Sequence, residues 1–277
     1  VLPSLGFPGA CSISSWPDLP FLPLAGMWIL SDNTKLDKPD RMIRNFLYLW
    51  ILAIMACSCS KSPEILLITG GHDYDTTEFY EMFNSVEGFS FDSVSYPDAR
   101  EVLSSSQIGK YDMLLFYDFV PDMPMADSAL FLDLIRMGMP MIFMHHALGT
   151  FQRWEGYKQM VGGRYVMPGY QHDSSLYSGY EHDLDLKIEV LDPSHPVTRG
   201  IGEFVIHDEG YYNIQINPGV HPLLGTEHPH SAPVMAWENQ WENSTCLYLM
   251  FGHDKLAYAN PMLIQILENS ISYLSGL

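Results

Sequence analysis

The chain has 277 residues, 47% of them hydrophobic, enough for one large domain or two small ones with a sizeable core. Its charge is lopsided, 33 Asp and Glu against 14 Lys and Arg for a formal net of -19, a surface that repels a phosphate backbone, so a nucleic-acid partner is not expected. Of the four cysteines, Cys11, Cys57 and Cys59 precede the first folded segment and Cys246 stands alone, which excludes a disulfide framework.

Through Ala56 the charges cancel, so the whole -19 falls on the remainder. The stretch "MIRNFLYLWILAIMACSCSKS", Met42 to Ser62, sets Arg44 ahead of an apolar run from Phe46 to Ala56 and then a cysteine. Positive end, short apolar core and small residue is the order of a secretory signal. The apolar run is about half of the roughly 20 residues that span a bilayer. Ile54, Met55 and Ala56 before Cys57 resemble a bacterial lipobox, with Met55 departing from the usual residue. The expectation is translation from Met42, a signal over 42–56, a lipidated Cys57 and a tether over 57–63. An uncleaved anchor and a buried helix are the alternatives. Residues 1–41 have many prolines, no initiator Met and no helical or strand period. They read as a non-native or disordered extension outside the fold.

From Glu64 the texture changes. "EILLIT" is a buried strand ending in Gly70-Gly71, and "TTEFYEMFNSV" a helix with Thr76 or Thr77 as candidate cap and Phe79, Met82 and Phe83 on one face. "FSFDSVSY" alternates as a strand does, and "YDMLLFYD" is a second buried run. "DSALFLDLIRMG" predicts an amphipathic helix stopped by Gly138, "MPMIFMH" a third buried strand, and "FQRWEGYKQMVGG" the next helix. Continuous apolar strands alternating with helices indicate a parallel sheet covered on both faces. After Gly163, "DLDLKIEVLD", "EFVIHDEGYYNI", "HPLLGTE", "APVMAWEN" and "CLYLMFG" predict strands joined by short turns, and "NPMLIQILENSISYLSG" a closing helix. The expected architecture is one α/β domain, 64–277, with a β-rich extension.

Open parallel sheets bind ligands beyond the carboxyl ends of their strands. Gly70-Gly71-His72-Asp73 follows the first strand, His145-His146 follows "MIFM", and His253-Asp254 follows "CLYLMFG". If these strands are parallel, His72, His145, His146 and His253 converge at one edge. One such histidine alone is more often a satisfied turn residue; several at independent strand ends point to a site. Alternation on extended chain turns adjacent side chains apart, so His145 and His146 are expected to face opposite ways, one of them packing. "HDEGYY" brings Asp208, Glu209 and Tyr211 after an apolar strand. "GYQHDSSLYSGYEHD" places His172, Asp173, His182 and Asp183 in a loop that is either a lid or a surface segment. "DPSHPVTRG" and "EHPHSAP" read as plain turns, the first with His195 bonding backbone. Imidazoles meeting carboxylates in a cleft suit either a divalent metal (Zn, Mn, Co or Ni) or acid/base work near neutral pH. The sequence holds no H-E-x-x-H, P-loop or G-x-S-x-G motif. Cys246 sits inside an apolar strand and reads as core.

The segments "ILLITGGHDYDTTEF", "GKYDMLLFY", "MPMIFMHHALGTFQRWEGYKQMVGGRY", "IEVLDPSHPVTRGIGEFVIHDEGYY", "APVMAWEN" and "FGHDKLAYANP" resemble, in order and spacing, the ThuA-like (trehalose-utilisation) family over about 64–277. The resemblance implies a flavodoxin-like three-layer sandwich, as in class I glutamine amidotransferases, and a carbohydrate ligand such as a 3-keto-disaccharide. Those amidotransferases carry a nucleophilic cysteine after the strand that here is "MIFM"; this chain has His145-His146-Ala147, so a cysteine-dependent glutaminase is not expected. His72, His145, Asp208, Glu209, Tyr211 and His253 carry over from the family pattern, whereas His146 departs from the small residue expected there. The resulting reading assigns His145, Asp208, Glu209 and His253 to catalysis. It assigns Asp73, His146, His172, Tyr211 and Asp254 to ligand binding, and His72, His145 and His253 to a metal. Sugar hydrolysis, elimination or isomerisation by a lipid-anchored envelope protein is one hypothesis, and a non-catalytic sugar-binding lipoprotein the other.

Overall fold

A computed structural model describes residues 62–277. In chain order the elements are β1 (Glu64–Gly70), α1 (Thr76–Ser85), β2 (Ser90–Ser95), α2 (Ala99–Ser104), β3 (Met113–Asp118), α3 (Ser128–Arg136), β4 (Met141–Met144), α4 (Glu155–Val161) and β5 (Gly163–Arg164). They continue with β6 (Gly179–Val190), β7 (Phe204–Tyr212), β8 (Gln215–Ile216), β9 (His221–Gly225), β10 (Val234–Trp241), β11 (Ser244–Leu249), α5 (Lys255–Tyr258) and α6 (Pro261–Leu274). The signal, Cys57 and the 1–41 extension lie outside the described residues.

One nine-stranded sheet runs β2-β1-β3-β4-β11-β10-β9-β6-β7. Its first five strands are mutually parallel. Taken by themselves they follow the flavodoxin-like order 2-1-3-4-5. β1, β3 and β4 are buried along nearly their whole length, which is why their sequences are unbroken apolar runs. Phe116 and Tyr117 of β3 point to opposite faces and meet different helices. Phe116 lies 5.8 Å from Phe131 of α3, and Tyr117 lies 4.4 Å from Phe79 of α1. The fold is a flavodoxin-like three-layer sandwich. Helix α1 buries Phe79, Met82 and Phe83, and burial of such a side chain contributes about 1.5–3 kcal/mol. Among the described residues no helix is long and apolar enough to cross a membrane.

Three local expectations change. Asp75, not Thr76 or Thr77, stands at the N-cap of α1, and the Thr76 hydroxyl turns back to the Tyr74 carbonyl at 3.2 Å. The helix expected from Phe151 begins only at Glu155, because Phe151 has a left-handed φ of 52° and the backbone N–H groups of Phe151 and Gln152 donate to the Val120 and Pro121 carbonyls. Helix α2, six residues long, was not anticipated; so short a segment gives no helical period.

The β-rich extension continues the same sheet. β10 joins β11 antiparallel, followed by β9 and β6. Only Glu189 and Val190 of β6 pair with β9, so the rest of the β6–β7 hairpin is free to reach elsewhere. It reaches the carboxyl edge of the parallel strands, where Gly252 and His253 donate backbone N–H bonds to Asp208 of β7.

Cys246 is fully buried near the amino end of β11, and burial pushes its thiol up, away from the reactive thiolate. Cys246→Ala is expected to cost on the order of 1 kcal/mol and to leave activity unchanged. A folded Cys246→Ala protein without activity would restore the cysteine as a nucleophile.

Candidate functional site

His145 takes the turn where β4 ends. Its φ is 50°, a left-handed conformation that costs a non-glycine residue about 1–3 kcal/mol. Tyr248 holds that turn by donating its hydroxyl to the His145 carbonyl at 3.0 Å. The left-handed residue also starts a 3-10 turn over His145–Gly149, which corrects the alternation argument. His145 and His146 do not face opposite ways along a strand; their rings meet edge-on with centroids 5.3 Å apart.

The His145 ring is almost fully buried, and its Nδ1 lies 2.7 Å from the Met250 carbonyl. A carbonyl only accepts, so Nδ1 carries a hydrogen and Nε2 faces the site. Around Nε2 stand Glu209 Oε2 at 3.1 Å, the Tyr211 hydroxyl at 3.0 Å and His253 Nδ1 at 3.3 Å. Glu209 Oε2 is also 3.4 Å from His253 Nδ1, while its Oε1 is 3.2 Å from His182 Nδ1. One carboxylate thus touches three imidazoles.

Burial alone would lower the His145 imidazole, but the hydrogen bond and charge of Glu209 outweigh it and hold the ring above its ordinary value. Burial would likewise raise Glu209, but His145 first, then His253 and His182, bring its carboxyl below the ordinary value. Both shifts run in the direction that favours an imidazolium–carboxylate pair. His253 moves the other way, lowered by burial and by His145.

Asp208 is buried and accepts from the backbone N–H groups of Glu209 at 2.8 Å, Gly252 at 2.8 Å and His253 at 2.9 Å. Burial, the largest influence, keeps its carboxyl above the ordinary value despite these donors and His145. Expected as a catalytic residue, it has both oxygens on backbone N–H groups and fixes the loop that carries His253. Tyr117 assists by donating to the Gly252 carbonyl at 2.7 Å.

Above the cluster opens a cavity of about 730 Å³ lined by His72, Phe119, His146, Tyr165, Tyr180, His182, Glu209, Tyr211, Tyr212 and His253, among others. The volume suits a small ligand. No Lys or Arg among the described residues lines it. Gly71 lets β1 reach this edge: a Cβ there would lie 1.9 Å from the Phe119 carbonyl oxygen. The trio expected to share a metal was His72, His145 and His253. The structure groups His145 and His253 with Glu209, their ligand atoms all within 4.8 Å of one another, and leaves His72 one ring further out, stacked on His146 at 4.7 Å. Asp73 is exposed in a neighbouring cleft with Thr69 and Gly70. Asp254 caps α5, accepting from Leu256 and Ala257. His172 is exposed and does not line the cavity. The loop's contribution is His182, 4.7 Å from the His253 ring, with Tyr180 beside it. Their spacing of two residues was the available signal, since it puts both on one face of a strand.

The ThuA model, described as trehalose utilisation, matches residues 64–274. The chain belongs to the ThuA family. A ThuA-like protein of Parabacteroides merdae is similar in structure, with TM-score 0.65 and 15% identity over 78% of this chain and 90% of that one. A ThuA-like protein of Bacteroides uniformis gives TM-score 0.60 and 18% identity over 79% and 94%. PurLQS from Thermotoga maritima gives TM-score 0.50 and 11% identity over 77% and 100%, a likeness of fold alone. No curated protein matches the chain.

The donor set of this ThuA-family site fits a divalent cation. Nε2 of His145 loses only a proton to become a ligand, its Nδ1–H already rests on a backbone carbonyl, and Glu209 brings the charge.

Asp118, at the end of β3, is a separate buried acid. The Thr150 hydroxyl lies 3.2 Å from Oδ2, and Oδ1 has no partner among the described residues. Burial pushes the carboxyl up to about 7 from an ordinary 3.8. From about pH 4 the unfolded chain releases this proton while the folded chain keeps it until about pH 7. Stability therefore falls across that window and levels off above it, a loss on the order of 4 kcal/mol. Asp118→Asn is expected to raise Tm at pH 8 by about 5–10 °C and to change it little at pH 4. Calorimetric melts with the same pH slope in both proteins would show that Asp118 does not titrate inside the fold.

Proposed function

We propose that this ThuA-family protein transforms an uncharged sugar, a disaccharide or its 3-keto form, at the His145–Glu209–His253 centre. The observation that carries the reading is the convergence of one carboxylate and two imidazoles beneath a cavity walled by tyrosines and histidines. Aromatic faces stack on sugar rings, and the family's description concerns trehalose utilisation. His253, a quarter exposed at its side chain, faces the cavity with its proton affinity lowered, so it can take a proton from a ligand hydroxyl. His145 and Glu209 hold a second proton between them, and Tyr211 can pass hydrogen-bond polarity to Nε2. A divalent ion bound to the same three residues would supply Lewis acidity toward a carbonyl or water. Hydrolysis, elimination and isomerisation all use this acid/base set.

The test is turnover of trehalose, sucrose and their 3-keto forms, with and without a chelator, alongside metal content of the purified protein. Turnover lost on chelation supports metal-assisted chemistry, and turnover indifferent to it supports acid/base chemistry alone. Sugar binding without turnover of any of them would leave a binding protein, the reading its aromatic wall favours second.

We further propose that the chain is anchored to the bacterial envelope through lipidated Cys57. The charged, apolar, small-residue, cysteine order before it supports this. Cys57→Ala is expected to move the protein from the membrane to the soluble fraction. A variant that still sediments with membrane, or peptides from residues 1–41 in cell extracts, would count against it.

A further inference from the structure

His146 is 6% exposed and lines the cavity; the backbone of Tyr117 is the hydrogen-bonding group that bears on its ring, yet neither ring nitrogen reaches a partner in good geometry among the described residues. Its ring stacks on His72 at 4.7 Å and 24° and meets Tyr117 edge-on at 4.4 Å. A buried polar group without a partner costs about 1–3 kcal/mol. An apolar side chain would fill this slot between aromatic rings without that cost, so folding does not account for the imidazole. A ligand in the cavity does.

The neighbouring ring is set by its own backbone. His72 Nδ1 lies 2.6 Å from the Asp73 carbonyl oxygen, which can only accept, so Nδ1 carries the hydrogen and a neutral His72 offers an acceptor at Nε2. A neutral His146 offers one donor and one acceptor. The pair therefore asks for a group that both gives and takes a hydrogen bond. A hydroxyl does so. A carboxylate or phosphate brings acceptors alone, meets the Glu209 carboxylate below, and finds no Lys or Arg among the described wall residues.

Resting on the sugar reading of this cavity, we propose that stacked His72 and His146 form a hydroxyl-reading subsite that selects uncharged polyhydroxylated ligands over their anionic counterparts. His146 is then a specificity residue whose imidazole is kept at the expense of stability.

The experiment uses the full chain and three uncharged disaccharides (trehalose, sucrose and lactose) beside glucose 6-phosphate and glucuronate, with binding read by calorimetry. At least one disaccharide is expected to bind about tenfold more tightly than either anion, a gap of about 1.4 kcal/mol. His146→Phe is expected to weaken that sugar about tenfold while its ligand-free Tm equals or exceeds that of the wild type. His146→Leu serves the same purpose should Phe not fit. His72→Ala should weaken the sugar less, since one acceptor is lost.

The subsite is overturned if both His146 variants melt well below the wild type, for the nitrogens would then be structural. It is overturned equally if sugar affinity stays within about twofold, if an anion binds more tightly, or if no uncharged disaccharide binds. The catalytic reading fails separately. Sugar that binds in a His146-dependent way but is never turned over sinks catalysis and keeps the subsite. Turnover whose KM is indifferent to His146→Phe sinks the subsite and keeps catalysis.

Discussion

Glu209→Gln is expected to lower kcat by about 100- to 10,000-fold, the range that a positioned acid or base contributes. The carboxylate lies against His145 Nε2 at 3.1 Å, His253 Nδ1 at 3.4 Å and His182 Nδ1 at 3.2 Å. An amide of the same shape keeps the packing and removes the charge. Its NH₂ cannot accept from an imidazolium, so the pair that holds a proton on His145 is broken. With that pair gone, burial is the strongest remaining influence on His145 and pulls its proton affinity down. Nuclear magnetic resonance titration of the His145 ring should therefore show a lower midpoint in the variant. Metal analysis should show loss of any bound divalent ion, because the two imidazoles keep no charged partner. Circular dichroism should remain native. Activity within about threefold of the wild type would remove Glu209 from the chemistry.

Asp208→Ala is expected to be the most damaging change to the fold near the site. Asp208 is buried and takes three backbone N–H bonds, from Glu209, Gly252 and His253. Its loss leaves two buried donors and the half-buried His253 N–H unpaired, at about 1–3 kcal/mol for each buried one before relaxation. A net loss of about 3–5 kcal/mol corresponds to a Tm lower by about 10 °C or more. Asp208→Asn retains one side-chain oxygen acceptor and should fall between. Gly252 has a φ of 104°, open to glycine but rarely to other residues, so its own backbone does not hold the loop in place once the Asp208 bonds are gone. His253 then loses its place beside Glu209, and turnover should fall with stability. An Asp208→Ala protein that melts like the wild type would show that water or a relaxed loop replaces the carboxylate.

His182 and His172 show how far the sequence carried the site. Both stand in one polar, Gly/Ser/Tyr-rich stretch, and nothing local separates a site residue from a surface one. The hairpin register separates them. Tyr180 pairs with Tyr211, and a shift between Glu181 and Leu184 follows, with Asp183 left-handed at φ 56°. That register carries His182 over the cavity, whereas His172 precedes β6 and does not line it. Likewise His145 and His146 were legible as strand-end imidazoles, but their directions were not. One left-handed residue ends the alternation on which the argument depended.

The layers follow from apolar patterning alone. Unbroken apolar runs dictate strands buried on both faces, helical periods dictate their covers, and Gly70-Gly71, His145 and His253 are thereby committed to the carboxyl edge of a parallel sheet. Those are short-range consequences of which side chains avoid water. Long-range packing makes Glu209, not His72, the third member of the cluster. The β6–β7 hairpin pairs with β9 through just two residues, and its free end is drawn across the sheet by the bonds of Asp208 to Gly252 and His253. A carboxylate from a distant antiparallel strand thus arrives 3.1 Å from an imidazole that ends a parallel one. No local period encodes that meeting, because it depends on where a whole hairpin closes rather than on the residues adjacent in the chain.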